Sequence, residues 1–493
     1  MRHVTSLLLL GMIGALAALL WIHREGDAAP PAPVPAAATA QPAGSAGSAG
    51  SAGSAAPGPP AATTAERPAT TAERPAPAAP APARPKLGRP LRTVALGWEL
   101  IAPGIVAADA YKAAGLEVGF AGAGTMSEVE AALARGGGET AGADLAIVPL
   151  ASFAASYERL RALSPEVVLV TGWSRGREAL LGPDAQVLAR PPAAGEVKLA
   201  AASAAAPETF LALFLLDLAG VPASRVTVVE PQRAPLSAVR RASGPRPPGK
   251  LLVTSADTPR LLPIVAVAPR GFVEAHPAEL EAWAKAWLAG VDKLASDVPA
   301  GARQIAGLTG APPVLDVIEA LGQLDFAGLR ENAAAAGLSG RGALTLDELF
   351  RTAWRIWRDA GVLTTPAPEA TPLATGVIAS LVRAEGPDAI AAEPPRARPG
   401  ADAGARPAVL LVARAPLGKD GALDPDAFAA RIGIIAGAFD RLTLRVSVRD
   451  DARAAQRLTE TARDRFGLRP AQLTVGRRPP ANLPGTIEVL SAS

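Results

Sequence analysis

From Arg92 onward, short runs of consecutive apolar residues alternate with stretches whose apolar positions recur every three or four residues. RTVALG (Arg92 to Gly97), LEVGF (Leu116 to Phe120), DLAIVPL (Asp144 to Leu150) and VVLVTGW (Val167 to Trp173) are the strand-like runs. Helices are expected from Ile105 to Ala114 and through Glu128 to Ala134. Strands that are apolar on both sides and alternate with helices imply a parallel sheet covered on both faces. Such sheets hold ligands at the carboxyl ends of their strands.

Two later stripes repeat at helical spacing. Leu280, Trp283, Trp287, Val291 and Leu294 share one face, as do Leu346, Leu349, Phe350, Ala353, Trp354 and Trp357. Thr345 and Glu348 have the spacing of a capping box before the second stripe, and Gly361 stands at its exit. Both stripes are expected to pack into a core rather than to form a sugar or cofactor surface. His276, beside Pro277 at a helix start and without a second histidine near it, is expected to act as a cap. Toward the end of the chain, strands at Ala408 to Ala413, Leu442 to Val448 and Thr486 to Leu490 alternate with helices from Asp424-Pro425 and from Ala452 to Gly467.

The pattern before Arg92 is different. Val4 to Ile22 is an uncharged apolar run about as long as the roughly 20 residues that span a bilayer. With Arg2 ahead of it, the run reads as an anchor with Met1 inside and the remainder exported. A cleavable signal peptide, cut near Gly26-Asp27-Ala28, is the competing reading. Ser-Ala-Gly repeats from Ser45 to Ala55 and a doublet of TTAERPA from Thr63 to Ala76 follow, and read as a disordered tether. The expected organisation is an anchor at 1–27, a linker at 28–90, a large domain at 91–365, a linker at 366–406 and a small α+β domain at 407–493.

Composition narrows the chemistry. The 493 residues include no cysteine and three histidines, of which only His276 lies beyond residue 23. Thiolate nucleophiles, Cys/His zinc sites and disulfides are excluded, and so is a lipid anchor that needs a cysteine. No paired carboxylate or nucleophile-base spacing stands out, so no catalytic residue, metal or cofactor is assigned and the chain is not expected to be an enzyme. Lysine plus arginine number 49 against 46 acids, and aromatics make up 4%. Neither a basic stripe nor a stacking surface points to nucleic acid.

The order and wording of the central segments resemble solute-binding proteins of the nitrate/sulfonate/taurine type from ABC transporters, over about Arg92 to Leu363. The likeness runs through VALGWELIAPGIVAADAYKAAGLEVGF (Val94 to Phe120), DLAIVPLASFA (Asp144 to Ala154) and VVLVTGWSRGREALL (Val167 to Leu181). It continues in VKLAAASAAAPETFLALFLLDLAGV (Val197 to Val221) and IVAVAPRGFVEAHPAELEAWAKAWLAGVDKL (Ile264 to Leu294). The resemblance implies an α/β, two-lobed type II periplasmic binding fold, a small-molecule ligand, a permease partner and a periplasmic location. It places ligand contacts at Trp98, Gly104, Trp173 and Ser203, with Thr209 in the following helix. Ala102-Pro103-Gly104 and Ser203 would each offer helix N-terminal amides to an anion. The family's Trp-bearing segment before the return strand is replaced here by Ser237 to Leu262, where Asp257 sits about where a contact would be.

The C-terminal module resembles a worn OmpA-like peptidoglycan-binding domain in RLTLRVSVRDD (Arg441 to Asp451), RLTETARDRFGLRPAQLTVGRRPP (Arg457 to Pro480) and NLPGTIEVL (Asn482 to Leu490). That resemblance implies wall-peptide contact through Asp450 or Asp451, although the family's last-motif arginines are replaced by Leu483-Pro484-Gly485. Two functions are therefore expected of the whole chain: capture of a small, anionic or amino-acid-like solute for transport or sensing, or an envelope scaffold touching peptidoglycan or a partner protein. An enzyme on the same bilobal fold is the weakest alternative.

Overall fold

The computed structural model describes residues 87–184, 186–192, 195–230, 234–240, 249–308, 311–339, 344–386, 390, 408–449, 451–476, 479 and 483–491. The chain divides into two units, 1–80 and 81–493, and all of these residues belong to the second. The expected anchor and nearly all of the tether lie outside the described residues. Among those described, no helix is long and apolar enough to cross a membrane.

Among the described residues, fifteen strands form three sheets. The first sheet contains β1 (Leu91–Leu96), β2 (Val118–Ala123), β3 (Leu145–Pro149), β4 (Glu166–Ser174), β10 (Pro263–Ala268) and β11 (Leu324–Phe326), in the order β11-β4-β10-β3-β1-β2. The second contains β5 (Glu178–Gly182), β6 (Val197–Ala200), β7 (Val226–Val229), β8 (Leu236–Arg240) and β9 (Lys250–Thr254), in the order β7-β6-β8-β5-β9. Apart from the edge strand β11, the two sheets have one plan: three strands in the order second-first-third, then a strand arriving from the other sheet, then a fourth. The chain thus forms two α/β lobes joined by two crossings, β4 to β5 and β9 to β10.

This plan corrects the expectation of an all-parallel sheet. β1 pairs in parallel with β2 and β3, but β10 is antiparallel to both β3 and β4, and β5 is antiparallel to β8 and β9. Each inserted strand has just crossed between the lobes and so enters its sheet against the local direction. β3 and β10 are buried along their full length, which explains why they read as unbroken apolar runs. The expected helix from Ile105 to Ala114 is two short helices, Ala102–Val106 and Ala108–Ala113.

The helical stripes became core. In the Pro277–Ser296 helix, Trp283 and Trp287 are fully buried and stack at 5.2 Å between ring centroids. Gly290 on that helix is required by a close approach: a Cβ there would lie 2.1 Å from the Pro103 carbonyl oxygen. His276 occupies the N-cap position but makes no side-chain cap bond; its ring lies 4.8 Å from that of Phe272. The Leu346–Asp359 helix has the expected Thr345/Glu348 capping box and ends before Gly361, whose φ of 75° is left-handed. It packs against both lobes. Trp357 donates its Nε1 proton to the Ala151 carbonyl (2.8 Å) on the lobe 1 helix Leu150–Leu160, and its ring lies 5.7 Å from Phe210 on the lobe 2 helix Pro207–Leu218.

The third sheet is built from β12 (Val409–Arg414), β13 (Thr443–Val448), β14 (Leu473–Val475) and β15 (Gly485–Leu490), in the order β12-β15-β13-β14. Its helices, Pro425–Ala438 and Ala452–Phe466, start at Asp424 and Asp451, whose carboxylates accept from Ala427 N (3.0 Å) and Ala454 N (2.7 Å). Its core is continuous with that of lobe 2. Asp217 on lobe 2 is the polar node of this contact. Its carboxylate receives both Nη atoms of Arg355 (3.2 and 2.9 Å), and its backbone carbonyl accepts from Arg431 Nη2 (3.0 Å).

Candidate functional site

The turn after β1 brings Gly97 into a left-handed conformation at φ 104°, and a Cβ there would collide with the Glu99 carboxylate. Glycine therefore makes room for Glu99 to turn inward. The carboxylate is met by two arginines. Arg177, in the β4 to β5 crossing, donates from Nη2 to Glu99 Oε1, and Arg240 at the end of β8 does the same at 2.8 Å. The side chains of Glu99 and Arg177 are about nine-tenths buried, whereas that of Arg240 is 43% exposed. One buried acid and two guanidiniums thus join the carboxyl ends of a lobe 1 strand and a lobe 2 strand beside the crossing, leaving one positive charge in excess.

The two crossings are stitched together next to this triad. Ser255 Oγ accepts from Gly176 N (2.8 Å) and lies 2.8 Å from Ser174 Oγ, which itself donates to the Glu178 carboxylate. Burial pushes the Glu178 carboxyl above the ordinary carboxylate range, against Arg177 and the hydroxyls of Ser174 and Ser255, which pull it down. Burial, then the neighbouring Glu178, also raises Glu208. The folded protein therefore holds protons that the unfolded chain releases near about pH 4.3. The stability contributed by these groups is full below that pH and is lost as pH rises through the raised values. Urea unfolding at pH 5 and at pH 8 is expected to show a smaller loss of stability with rising pH for Glu178→Gln than for the unaltered chain.

The sequence-derived contact residues are dispersed. Trp98 is half-buried in the turn beside Glu99. Gly104 lies in a five-residue helix and is packed so closely that a Cβ would come within 2.3 Å of the Phe120 ring and 2.9 Å of Trp287. Ser203 is exposed; Thr209 is fully buried and donates its hydroxyl to the Ser203 carbonyl (2.6 Å). Asp257 closes a turn by accepting from Thr254 N (2.8 Å) and Thr254 Oγ1 (2.9 Å). Asp451 caps its helix, and Asp450 lies outside the described residues. The triad draws together Glu99, Arg177 and Arg240, none of which sequence reasoning singled out. One signal was available for Glu99: it is the only charged residue between Arg92 and Asp109.

Trp173 belongs to a different place. It lines a cavity of about 400 Å³ between the hinge strand β4, the Leu329–Ala335 helix and the C-terminal module. Arg260 from the second crossing lies with its guanidinium 4.1 Å from the centre of the Trp173 ring. Arg330, Glu331, Asp440, Arg469 and Gln472 complete the polar wall, and Leu346, Leu349 and Phe466 are among the apolar lining residues. Among the described residues, no group of three or more His, Cys, Asp or Glu is placed to hold a metal ion.

No family model and no curated protein matches the chain. Among solved structures, the periplasmic aliphatic sulphonate binding protein of Escherichia coli is 12% identical over 59% of this chain and 99% of its own, with a TM-score of 0.42. The ligand binding component of an ABC-type import system from Staphylococcus aureus, with zinc bound, is 10% identical over 59% and 97%, with a TM-score of 0.42. The periplasmic nitrate-binding protein of Synechocystis PCC 6803 is 13% identical over 58% and 92%, with a TM-score of 0.36. At this level of overlap the two-lobed fold rests on the strand order and the paired crossings described above.

Proposed function

We propose that the chain is an extracytoplasmic, non-enzymatic binding protein that takes a small anionic solute between its lobes, for an ABC-type transport or sensing system. The observation that supports this reading is the convergence of Arg177 and Arg240, from the crossing and from lobe 2, on one carboxylate of lobe 1. Glu99 occupies the position an anionic guest would take, and Arg240, the more exposed partner, can exchange it for a sulfonate or carboxylate. The test is a thermal-shift screen of sulfonates, oxyanions and carboxylates at millimolar concentration. A ligand at about 100 times its Kd adds about 2.7 kcal/mol of stability, a readily measured shift. Arg240→Met is expected to abolish the shift; a flat screen, or a shift that survives the substitution, overturns the reading.

A scaffold role is favoured by a separate observation. The Leu346–Asp359 helix is packed against both lobes, and Asp217 ties lobe 2 to that helix and to the C-terminal module. These ties oppose hinge opening and would make the bilobal unit a fixed platform, with the OmpA-like module meeting peptidoglycan or a partner protein. Spin labels on the two lobes discriminate: a binding protein changes its interlobe distance with ligand, and a platform keeps one distance and is retained on peptidoglycan.

A further inference from the structure

We propose that the cavity between β4, the Leu329–Ala335 helix and the C-terminal module is a second small-molecule site, separate from the interlobe triad, and that it takes an apolar amino acid as its zwitterion. Three observations converge on this chemistry. The volume, about 400 Å³, lies within the range of small-molecule pockets and suits a guest of that size. Arg260 is held by its face on Trp173, and among the described residues no hydrogen bond or ion pair occupies its N–H groups, which leaves the guanidinium edge for a carboxylate. Asp440 lines the same space with Oδ1 buried and without a hydrogen-bond partner, while its backbone carbonyl is fixed by Arg469 Nη2 at 3.1 Å. A carboxylate that lines a cavity and, among the described residues, has no ion-pair partner is matched by an ammonium from the guest.

The remaining wall agrees with such a guest. Leu346, Leu349, Phe466 and Leu468 offer an apolar surface for a side chain. Glu331, the other acid of the lining, is already engaged, accepting from Gly328 N at 3.1 Å in the cap of its own helix. Asp440 is therefore the acid left for a cation, facing arginines that favour an anion. Burial raises the Asp440 carboxyl above its ordinary range, with Arg260, Arg441 and Arg469 opposing, and an ammonium beside it would act in the same direction as these arginines.

Isothermal titration of the full chain tests the assignment with leucine, with 4-methylpentanoate, which lacks the amine, and with 3-methylbutylamine, which lacks the carboxylate. Leucine is expected to bind about tenfold or more tightly than either truncated analogue. Asp440→Asn, nearly isosteric, is expected to weaken leucine about tenfold and leave 4-methylpentanoate unchanged. Arg260→Met is expected to weaken both leucine and 4-methylpentanoate, and it carries the test should the Asp440 variant fail to fold. Arg240→Met separates the two sites: it leaves leucine affinity unchanged here while abolishing any anion binding between the lobes. No binding of leucine or phenylalanine at 10 mM, an unchanged affinity in the Asp440 and Arg260 variants, or loss of leucine binding in Arg240→Met overturns the proposal.

Discussion

Replacing Glu99 with glutamine is expected to lower the free energy of unfolding by about 3–5 kcal/mol. The substitution keeps the size of the side chain and removes only its charge, so it leaves the Arg177 guanidinium buried without its counter-charge. Arg240 contributes less to the loss, because its half-exposed side chain can recover water. The size of the effect reflects the penalty of an uncompensated buried cation rather than the net worth of the pair. That distinction gives a second expectation. Arg177→Met combined with Glu99→Gln should recover much of the loss, since no uncompensated cation then remains buried. Urea denaturation of the two single variants and the double variant closes the cycle. A loss below about 1 kcal/mol for Glu99→Gln, in the range of an exposed pair, would show that the triad is open to solvent and not a buried junction between the lobes.

Elements whose signals are local were legible in the sequence. The strands β3 and β4 announce themselves as apolar runs because they are covered on both faces. The Leu346–Asp359 helix announces itself through the Thr345/Glu348 box and a stripe of large apolar residues, which became core as their spacing implied. Contacts between distant segments were not legible. The Glu99 pairs join residues 78 and 141 positions apart, and no periodicity connects them. The antiparallel entry of β10 into the first sheet is decided by the crossing between lobes, which a strand's own composition does not encode. β14 is only three residues long, too short for an alternation to register.

Gly104 and Trp173 illustrate the limit at the site itself. A small residue opening a helix reads equally as an anion cradle and as a packing contact, and Phe120 and Trp287 press against this one. A tryptophan at the end of a strand reads as a cleft residue. Trp173 does line a cavity, but its partners come from the second crossing and from a module more than 250 residues further along the chain, through Arg260 and Asp440. Isolated charges in apolar surroundings were the informative signal left unused. Glu208 and Asp217 are the only charged residues between Lys198 and Arg225. The first is a buried acid beside the hinge and the second is the node joining lobe 2 to its neighbours.

Trp357→Ala is expected to cost about 3–5 kcal/mol or more, because it empties the contact that the bridging helix makes with both lobes. The side chain is fully buried, its ring meets Phe210 of lobe 2, and its indole N–H is the donor for the Ala151 carbonyl of lobe 1. Packing and hydrogen bonding are separable here. Trp357→Phe retains much of the apolar contact and removes the indole donor from the Ala151 carbonyl, which keeps its helical partner, at a cost of about 0.5–1.5 kcal/mol for the hydrogen bond. The corresponding control is Trp287→Phe in lobe 1, where the indole Nε1 is buried with no partner, so that the substitution removes an unsatisfied donor. Thermal and urea unfolding should therefore rank Trp357→Ala as the most damaging, Trp357→Phe as intermediate and Trp287→Phe as the mildest. If the bridging helix ties the lobes, Trp357→Ala should also raise protease cleavage within the crossings, at Arg175 to Arg177 and Ser255 to Leu262, ahead of global unfolding. Cleavage confined to the termini, with the crossings as protected as in the unaltered protein, would mean that the two lobes hold together without this helix.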